Sequence, residues 1–304
     1  MFRYFIGCLA VGILLRFLCL NLAPSPVLQS IGHAANEDWL RCNIFLVLIS
    51  HLVKEEVTIF HNPSVINGSP AITQTLEFIG FLAFLSFDSL KDDMRIPLSI
   101  FVFAFNPFSI FAFGNRSIGI IPVIFTVLIF VALIKGRTLV ASILCGVGSY
   151  INIYPIFLML AVLARCRDRK SCVCSSLFAF VFTLGSLLFA TYYYEKSWSF
   201  LRHCYLSNIY ARNTTPNLGL FWYMYVEMFP HFNVFFVWTM QLIIFSICCG
   251  LLFRFYEDPP FLALLITMTT GVLRPYNSVA DLGCSLALLM HWRHLFICEF
   301  FLLG

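Results

Sequence analysis

The sequence predicts an all-α, polytopic integral membrane protein with about eight to ten membrane helices. Hydrophobic residues make up 60% of the 304 residues and charged residues only 11%, whereas soluble proteins carry roughly 25% charge. The mean hydropathy is +0.89, and apolar runs recur along the whole chain. At about 20 residues for each span, no room remains for a large soluble domain, so residues 1–304 are predicted to form a single integral membrane domain.

The N-terminal part of the chain predicts one span followed by a polar loop. The apolar run at residues 4–20 follows Arg3 and is longer than the core of a typical signal peptide, so we interpret it as a retained first span. The polar region of about residues 23–70 is predicted to be the first luminal loop. Within this loop, the apolar segment 43–53 is too short to cross a membrane and is expected to lie at the interface.

Apolar runs separated by turn signals predict the remaining spans. These spans lie at about 71–90, 96–113, 117–134, 138–150, 151–164, 172–194, 232–254, 259–273 and 282–301. The segments 138–150 and 151–164 are each short for a full crossing. They are therefore predicted to form two compact helices or a re-entrant hairpin, which requires cover from protein rather than lipid.

Basic residues on alternate connections predict the orientation in the membrane. They are Arg3, Lys91, Arg95, Lys135, Arg137, Arg165, Arg167, Arg169, Lys170 and Arg254. The positive-inside rule places these connections and the N-terminus in the cytosol. The opposite side, predicted to be the lumen of the endoplasmic reticulum, then receives all three Asn-x-Ser/Thr sequons, at Asn67, Asn115 and Asn213. It also receives a long, aromatic-rich connection at about residues 195–231.

The aromatic run within residues 215–236, which we call the aromatic segment, is the main candidate for a functional site. Thr215 or Asn217 is suited to cap a helix start, and Pro230 predicts a kink or a restart of the helix. Tyr and Trp side chains have an apolar ring and a polar tip, which suits the boundary between lipid and water. The alternative interpretation is therefore an ordinary aromatic belt at the mouth of a membrane helix.

The sequence contains none of the common catalytic motifs. We find no GxSxG elbow, no HExxH, no P-loop and no GxGxxG, and we predict no metal site and no cofactor. His291 and His294 flank Trp292 and Arg293, and we interpret the group as an interface anchor rather than a metal site. The net charge of +4 is too small to indicate a nucleic-acid partner.

A catalytic alternative comes from the architecture. Polytopic glycosyltransferases that use dolichol-linked sugars place acidic residues in the first luminal loop, where a carboxylate acts as a base or a metal ligand. The corresponding loop of this chain contains Glu37, Asp38, Glu55 and Glu56. It contains no Asp-x-Asp, and adjacent carboxylates on a helix point in different directions.

The aromatic segment resembles the signature of the PIG-U family, the multi-spanning subunit of the GPI transamidase complex. Thr-Pro-Asn-Leu-Gly-Leu-Phe-Trp-Tyr, then Glu-Met-Phe, a His-Phe pair and a second aromatic run follow in order within residues 215–236. Further similar segments are Asp38-Trp39, Phe60-His61, Asn106–Ile110, Ser149–Leu158, Ser197-Trp198, Pro275-Tyr276 and His294-Leu295. The resemblance covers essentially the whole chain. Family members usually continue with further spans, so a chain that stops at Gly304 is expected to be a reduced form or a truncated one.

The resemblance implies a role without bond chemistry. The chain is expected to be a non-catalytic, multi-pass subunit of GPI transamidase in the endoplasmic reticulum membrane, where it helps to bind or present the GPI lipid. Its expected partners are the other subunits, including the cysteine-protease-like catalytic subunit. The expected fold is similar to that of the GPI mannosyltransferases (GT-C-like). A dolichol-phosphate-mannose-dependent GPI mannosyltransferase is therefore the alternative function.

A GPI lipid offers acyl chains to the membrane and an anionic glycan to the lumen, so its site should combine apolar and polar groups. The predicted lipid-binding residues are Asn217, Phe221, Trp222, Tyr223, Glu227, Phe229, Arg212, Arg274 and Asp281. The rings would supply contact surface, and Arg212 and Arg274 would balance the negative charge of the phosphate. Asp281 would fix Arg274 or a helix start. The competing interpretation is that the segment packs against another subunit.

Overall fold

The computed structural model describes residues 70–88, 98–114, 119–167, 169–206, 221–227, 229–274 and 279–292, and these residues form helices and short connections without any strand. The α-helices are α1 (Pro70–Asp88), α2 (Leu98–Phe105), α3 (Pro107–Gly114), α4 (Ile120–Ile134), α5 (Thr138–Ile151), α6 (Leu158–Arg165), α7 (Lys170–Glu195), α8 (Phe221–Glu227), α9 (Asn233–Phe255), α10 (Pro259–Leu273) and α11 (Val279–Leu289). Short helices of other types lie between or after them, namely the 3-10 helices Tyr154–Phe157, Pro230–Phe232 and Met290–Trp292 and the π-helix Leu201–Leu206.

The all-α prediction is confirmed for this part of the chain. The predicted first span 4–20, the interface segment 43–53 and nearly all of the loop 23–70 lie outside the described residues.

Phenylalanine side chains of α1, α2 and α4 form the centre of the core. Phe84, Phe87, Phe103 and Phe130 are completely buried. The rings of Phe84 and Phe103 stack with their centroids 4.5 Å apart, and those of Phe87 and Phe130 meet edge to face at 6.3 Å. Helix α11 packs against α2, α3 and α10 and closes this core from the other side. Large aromatic rings thus join helices that are far apart in the sequence.

The predicted span at 96–113 is divided into α2 and α3 at Asn106. The side-chain oxygen of Asn106 accepts a hydrogen bond from the backbone N–H of Phe108 at 3.0 Å, which is an N-cap interaction. Pro107 occupies the first helical position, where no N–H donor is needed. The hydroxyl of Ser109 donates to the carbonyl oxygens of Phe103 and Asn106 across the break. The predicted span therefore contains two helices, because these local interactions start a second helix at Pro107.

Helices α5 and α6 run antiparallel, with the 3-10 helix Tyr154–Phe157 at the turn. A Cβ atom placed on Gly136 would lie 3.5 Å from Nη2 of Arg165, so the start of α5 and the end of α6 are neighbours. A Cβ atom placed on Gly146 of α5 would lie only 3.0 Å from Cβ of Thr183 in α7. The small residue therefore lets α5 approach α7 closely, as small residues do between membrane helices.

Two of the described helices are long and apolar enough to cross a membrane. They are Lys170–Tyr194 and Val234–Phe255, and only 11% and 17% of their apolar windows are buried. An apolar core helix of a soluble protein would be mostly buried, whereas Phe178, Phe182 and Phe253 are 70%, 65% and 80% exposed. Apolar surface of this kind favours contact with lipid over contact with water. Shorter apolar helices occur at Leu76–Phe87, Ile120–Ile134, Thr138–Ile151, Tyr154–Arg165 and Pro259–Leu273.

Candidate functional site

The aromatic segment is helical on both sides of a break at Pro230. Helix α8 covers Phe221–Glu227, the 3-10 helix Pro230–Phe232 follows, and α9 begins at Asn233. Proline removes a backbone donor and clashes with the preceding turn, which favours a break in the helix here. The predicted restart at Pro230 is confirmed. The predicted helix start at Thr215 or Asn217 lies outside the described residues.

Helix α8 buries the ring of Tyr225 and exposes the side chains of Tyr223 and Glu227. Tyr225 is buried, while Tyr223 is 57% exposed and the side chain of Glu227 is also exposed. Phe229 follows directly and is 76% exposed. Tyr225 therefore anchors the segment, while Tyr223, Glu227 and Phe229 of the predicted lipid-binding set remain accessible.

Arg274 and Asp281 lie at the two ends of the connection between α10 and α11 and form an ion pair, with Nη2 of Arg274 donating to Oδ2 of Asp281. Both side chains are largely buried, at 8% and 17% exposure. Burial lowers the pKa of the Arg274 guanidinium to about 10, so the side chain remains cationic at neutral pH. Asp281 thus fixes Arg274, which was one of the two roles predicted for it.

Tyr154 connects the ion pair to the aromatic segment. Its ring centroid lies 5.9 Å from Cζ of Arg274, within the range of a cation–π contact. Gln241 of α9 and Tyr225 of α8 lie near its hydroxyl, which is buried and has no hydrogen-bond partner among the described residues. These neighbours belong to two parts of the predicted site that the sequence could not place relative to each other. We call Tyr154, Tyr225, Gln241, Arg274 and Asp281 the polar cluster.

The sequence analysis missed three members of the polar cluster. Tyr154 belonged to a segment that resembles the family, but it was not assigned to the site. Tyr225 was part of the aromatic run, and nothing in the sequence distinguished it from its exposed neighbours. Gln241 lies in an apolar helix, where a single amide among apolar residues was the only signal for it.

A second set of hydrogen bonds holds the chain that leads toward the aromatic segment. The hydroxyl of Tyr205 in the π-helix donates to the carbonyl oxygen of Tyr150 at 2.7 Å. The hydroxyl groups of Tyr150 and Thr191 are 2.8 Å apart. The end of α7, the π-helix and the turn between α5 and α6 therefore meet at the same end of the helix bundle as the polar cluster.

Several predicted site residues are not located by the structure. Arg212, Asn217 and the sequon residues Asn67, Asn115 and Asn213 lie outside the described residues, as do the acidic residues Glu37, Asp38, Glu55 and Glu56. Phe221 and Trp222 form the first turn of α8. Among the described residues, no group of three or more His, Cys, Asp or Glu side chains is arranged to hold a metal ion.

One family and several curated relatives with related names match this chain. The family described as "PIG-U: GPI transamidase subunit PIG-U" matches residues 44–301. The chain is 27% identical to the GPI-anchor transamidase component PIGU of Mus musculus, over 67% of this chain and 50% of the relative. It is 28% identical to the GPI transamidase component GAB1 of Saccharomyces cerevisiae, over 69% of this chain and 54% of the relative. The human PIGU component is 26% identical over 67% of this chain and 50% of its own length.

The chain spans about half the length of the curated relatives it matches. Within this chain, the family match includes the aromatic segment, the break at Asn106, the turn at Tyr154 and the Arg274–Asp281 pair. Because the match covers far more than half of the sequence, the chain belongs to the PIG-U family of GPI transamidase subunits.

Proposed function

We propose that this chain is a non-catalytic, multi-pass membrane subunit of GPI transamidase in the endoplasmic reticulum. The observation that carries the proposal is the family match over residues 44–301, together with relatives whose names are those of transamidase components. The exposed apolar faces of α7 and α9 support a location in the membrane. A separate catalytic subunit of the cysteine-protease type would then carry out the bond chemistry.

The proposed task of the chain is to bind or present the GPI lipid. The exposed rings of Tyr223 and Phe229 lie on the same segment as Tyr225, which is buried and belongs to the polar cluster. The site therefore has apolar ring surface beside charged and amide groups, which is the combination that an amphiphilic ligand requires. Acyl chains would lie along the apolar side, and the glycan would face the polar side.

The Arg274–Asp281 pair suggests how the polar side would meet the glycan. A guanidinium group has five N–H donors in a planar arrangement, which suits sugar hydroxyl groups and phosphate oxygens as well as the carboxylate of Asp281. Since Asp281 neutralises part of the Arg274 charge, Arg212 is the second cation that we propose for the phosphate. Glu227 would orient a neighbouring group rather than touch the phosphate, because like charges repel.

The first experiment tests the function in cells that lack this chain. We expect complete GPI lipid to accumulate and precursor proteins to keep their C-terminal signals, since attachment rather than lipid synthesis would be blocked. Lipid analysis and immunoblotting of a GPI-anchored reporter measure both. Accumulation of a GPI intermediate that lacks a mannose would contradict the proposal and identify a mannosyltransferase, with Glu37, Asp38, Glu55 and Glu56 as the residues to replace.

The same cells test the lipid site by complementation. The triple variant Asn217→Ala, Phe221→Ala, Trp222→Ala should leave the purified complex intact while reducing the GPI lipid that it retains. The control variant Phe178→Ala, Phe182→Ala removes two exposed rings from α7 and should retain the lipid normally. If the triple variant makes the complex fall apart, the segment is a subunit interface. If the variant complex retains its full lipid, the site lies elsewhere.

A further inference from the structure

Three connections that are distant in the sequence meet at one end of the helix bundle. They are residues 135–137 between α4 and α5, residues 165–170 between α6 and α7, and residues 254–258 between α9 and α10. The contact between Gly136 and Arg165 joins the first connection to the second. Cζ of Arg167 lies 4.5 Å from the ring centroid of Tyr256, which joins the second connection to the third.

These connections gather basic side chains into one exposed surface. Its members are Lys135, Arg137, Arg165, Arg167, Arg169, Lys170 and Arg254, and all of them are exposed. We call this set the basic surface. The same connections also contain Asp168, Glu257 and Asp258, and Glu257 accepts a hydrogen bond from the hydroxyl of Tyr256 at 3.1 Å. Basic residues therefore outnumber acidic ones by more than two to one, and the surface is strongly positive.

The basic surface adjoins a helix face that is suited to lipid. Helix α7 begins at Lys170, and its exposed apolar side chains start within about two turns, with Leu177 and Phe178 at 40% and 70% exposure. In a membrane, this short distance places Arg167, Arg169 and Lys170 at the level of the phospholipid headgroups.

The fold holds Arg167 in position and places Arg165 beside a tight turn. The guanidinium of Arg167 lies over the ring of Tyr256, and Arg165 is a neighbour of Gly136, whose φ of +70° favours glycine. A guanidinium group presents a planar set of N–H donors that matches the oxygens of a phosphate. Fixed arginines lose less conformational freedom when they bind, so the arrangement favours a bound phosphate over diffuse attraction.

We propose that the basic surface is a binding site for the headgroups of anionic phospholipids, such as phosphatidylinositol or phosphatidylserine, in the leaflet at that end of the bundle. Clusters of basic residues beside membrane helices attract such lipids. Three loops from separate parts of the chain build the surface together, so the site exists only in the folded protein. The proposal does not depend on the GPI site proposed above, since the polar cluster lies at the opposite end of the bundle.

The test uses the purified full chain in nanodiscs of phosphatidylcholine mixed with phosphatidylinositol or phosphatidylserine. Lipids that remain bound after detergent release are measured by mass spectrometry and compared with the bulk mixture. We expect the unmodified chain to retain anionic lipid in excess of its bulk share. The variant Arg165→Gln, Arg167→Gln, Arg169→Gln should reduce this excess by roughly ten-fold or more, because three cations next to the headgroups are lost.

Two matched variants sharpen the test. Lys196→Gln removes an exposed basic residue at the other end of α7 and should leave lipid retention unchanged. Arg165→Lys, Arg167→Lys, Arg169→Lys keeps the charge but not the planar donor set, and it should retain an intermediate amount of anionic lipid.

A salt titration of the unmodified chain requires no variant and covers the case in which the glutamine variant does not fold. Retention of anionic lipid should fall as the salt concentration rises, since salt screens exposed charges. The proposal is wrong if the unmodified chain shows no preference for anionic lipid. It is also wrong if salt leaves the preference unchanged, or if a folded glutamine variant keeps the preference.

Discussion

At the scale of single residues, the Arg274–Asp281 pair is the most consequential feature of the structure. Both charges are largely removed from solvent, and each helps to compensate the other. A buried ion pair contributes modestly to stability as a pair, but the removal of one partner leaves an uncompensated charge that costs about 3–5 kcal/mol. The pair therefore constrains the positions of both side chains.

Replacing Asp281 by alanine should lower the free energy of unfolding by about 3 kcal/mol or more, because Arg274 would remain buried without its carboxylate. The double variant Arg274→Met, Asp281→Leu should recover much of this loss, since neither charge is then buried. Thermal unfolding of the full chain in detergent micelles measures both variants. A double variant as unstable as Asp281→Ala alone would show that the pair is not what stabilises this connection.

The sequence predicted Arg274 and Asp281 as neighbours for a simple reason. They lie seven residues apart, in one short connection between two predicted spans, so no knowledge of helix packing was needed. Tyr154 and Gln241 could not be placed with them, because several helices separate each residue from that connection. Their proximity results from the packing of α6 and α9 around α10, which periodicity in one sequence does not reveal.

At the scale of helices, boundaries with strong local signals were predicted well. The predicted span 259–273 matches α10, since Pro259 and Pro260 begin it and Arg274 precedes another proline. The break at Asn106 was not predicted, because the apolar composition of residues 96–113 continues across it, although Asn-Pro is a strong signal for a helix start. Composition therefore predicts which segments belong to the membrane, while short polar motifs indicate where a helix is interrupted.

Close packing between α5 and α7 predicts a specific effect of adding one methyl group. Gly146→Ala should destabilise the protein by about 1–3 kcal/mol, because the new carbon atom would lie 3.0 Å from Cβ of Thr183. Gly185→Ala in α7 is the matched control, since no atom lies within 4 Å of the added carbon. It should be neutral or stabilising by up to about 1 kcal/mol. Unfolding of both variants under the same detergent conditions gives the comparison, and equal effects would contradict the close approach of the two helices.

At the scale of the whole molecule, the contacts divide the described connections between two ends of the bundle. The basic surface lies at one end, and the polar cluster lies at the other with the Tyr150–Thr191–Tyr205 hydrogen bonds. This division agrees with the alternation of basic connections that predicted the orientation in the membrane.

The orientation can be tested with inserted glycosylation tags. A tag placed near Asn213 should be modified in microsomes, because we predict this connection to be luminal. A tag near Arg167 should remain unmodified, since the basic connections are predicted to face the cytosol. Endoglycosidase treatment and gel mobility provide the measurement. Modification of the Arg167 tag would reverse the orientation and place the basic surface in the lumen.

The antiparallel pair α5 and α6 has a consequence for the synthesis of the protein. Helix α5 has 14 residues, which at 1.5 Å each span about 21 Å, less than the roughly 30 Å of a bilayer core. An insertion machinery that tests each nascent segment separately would find α5 and α6 too short, so the two helices should enter the bilayer together as one unit. Gly146 of α5 packs against α7, and α7 leaves the ribosome later than α5. Close packing of α5 must therefore wait until this later helix has been inserted.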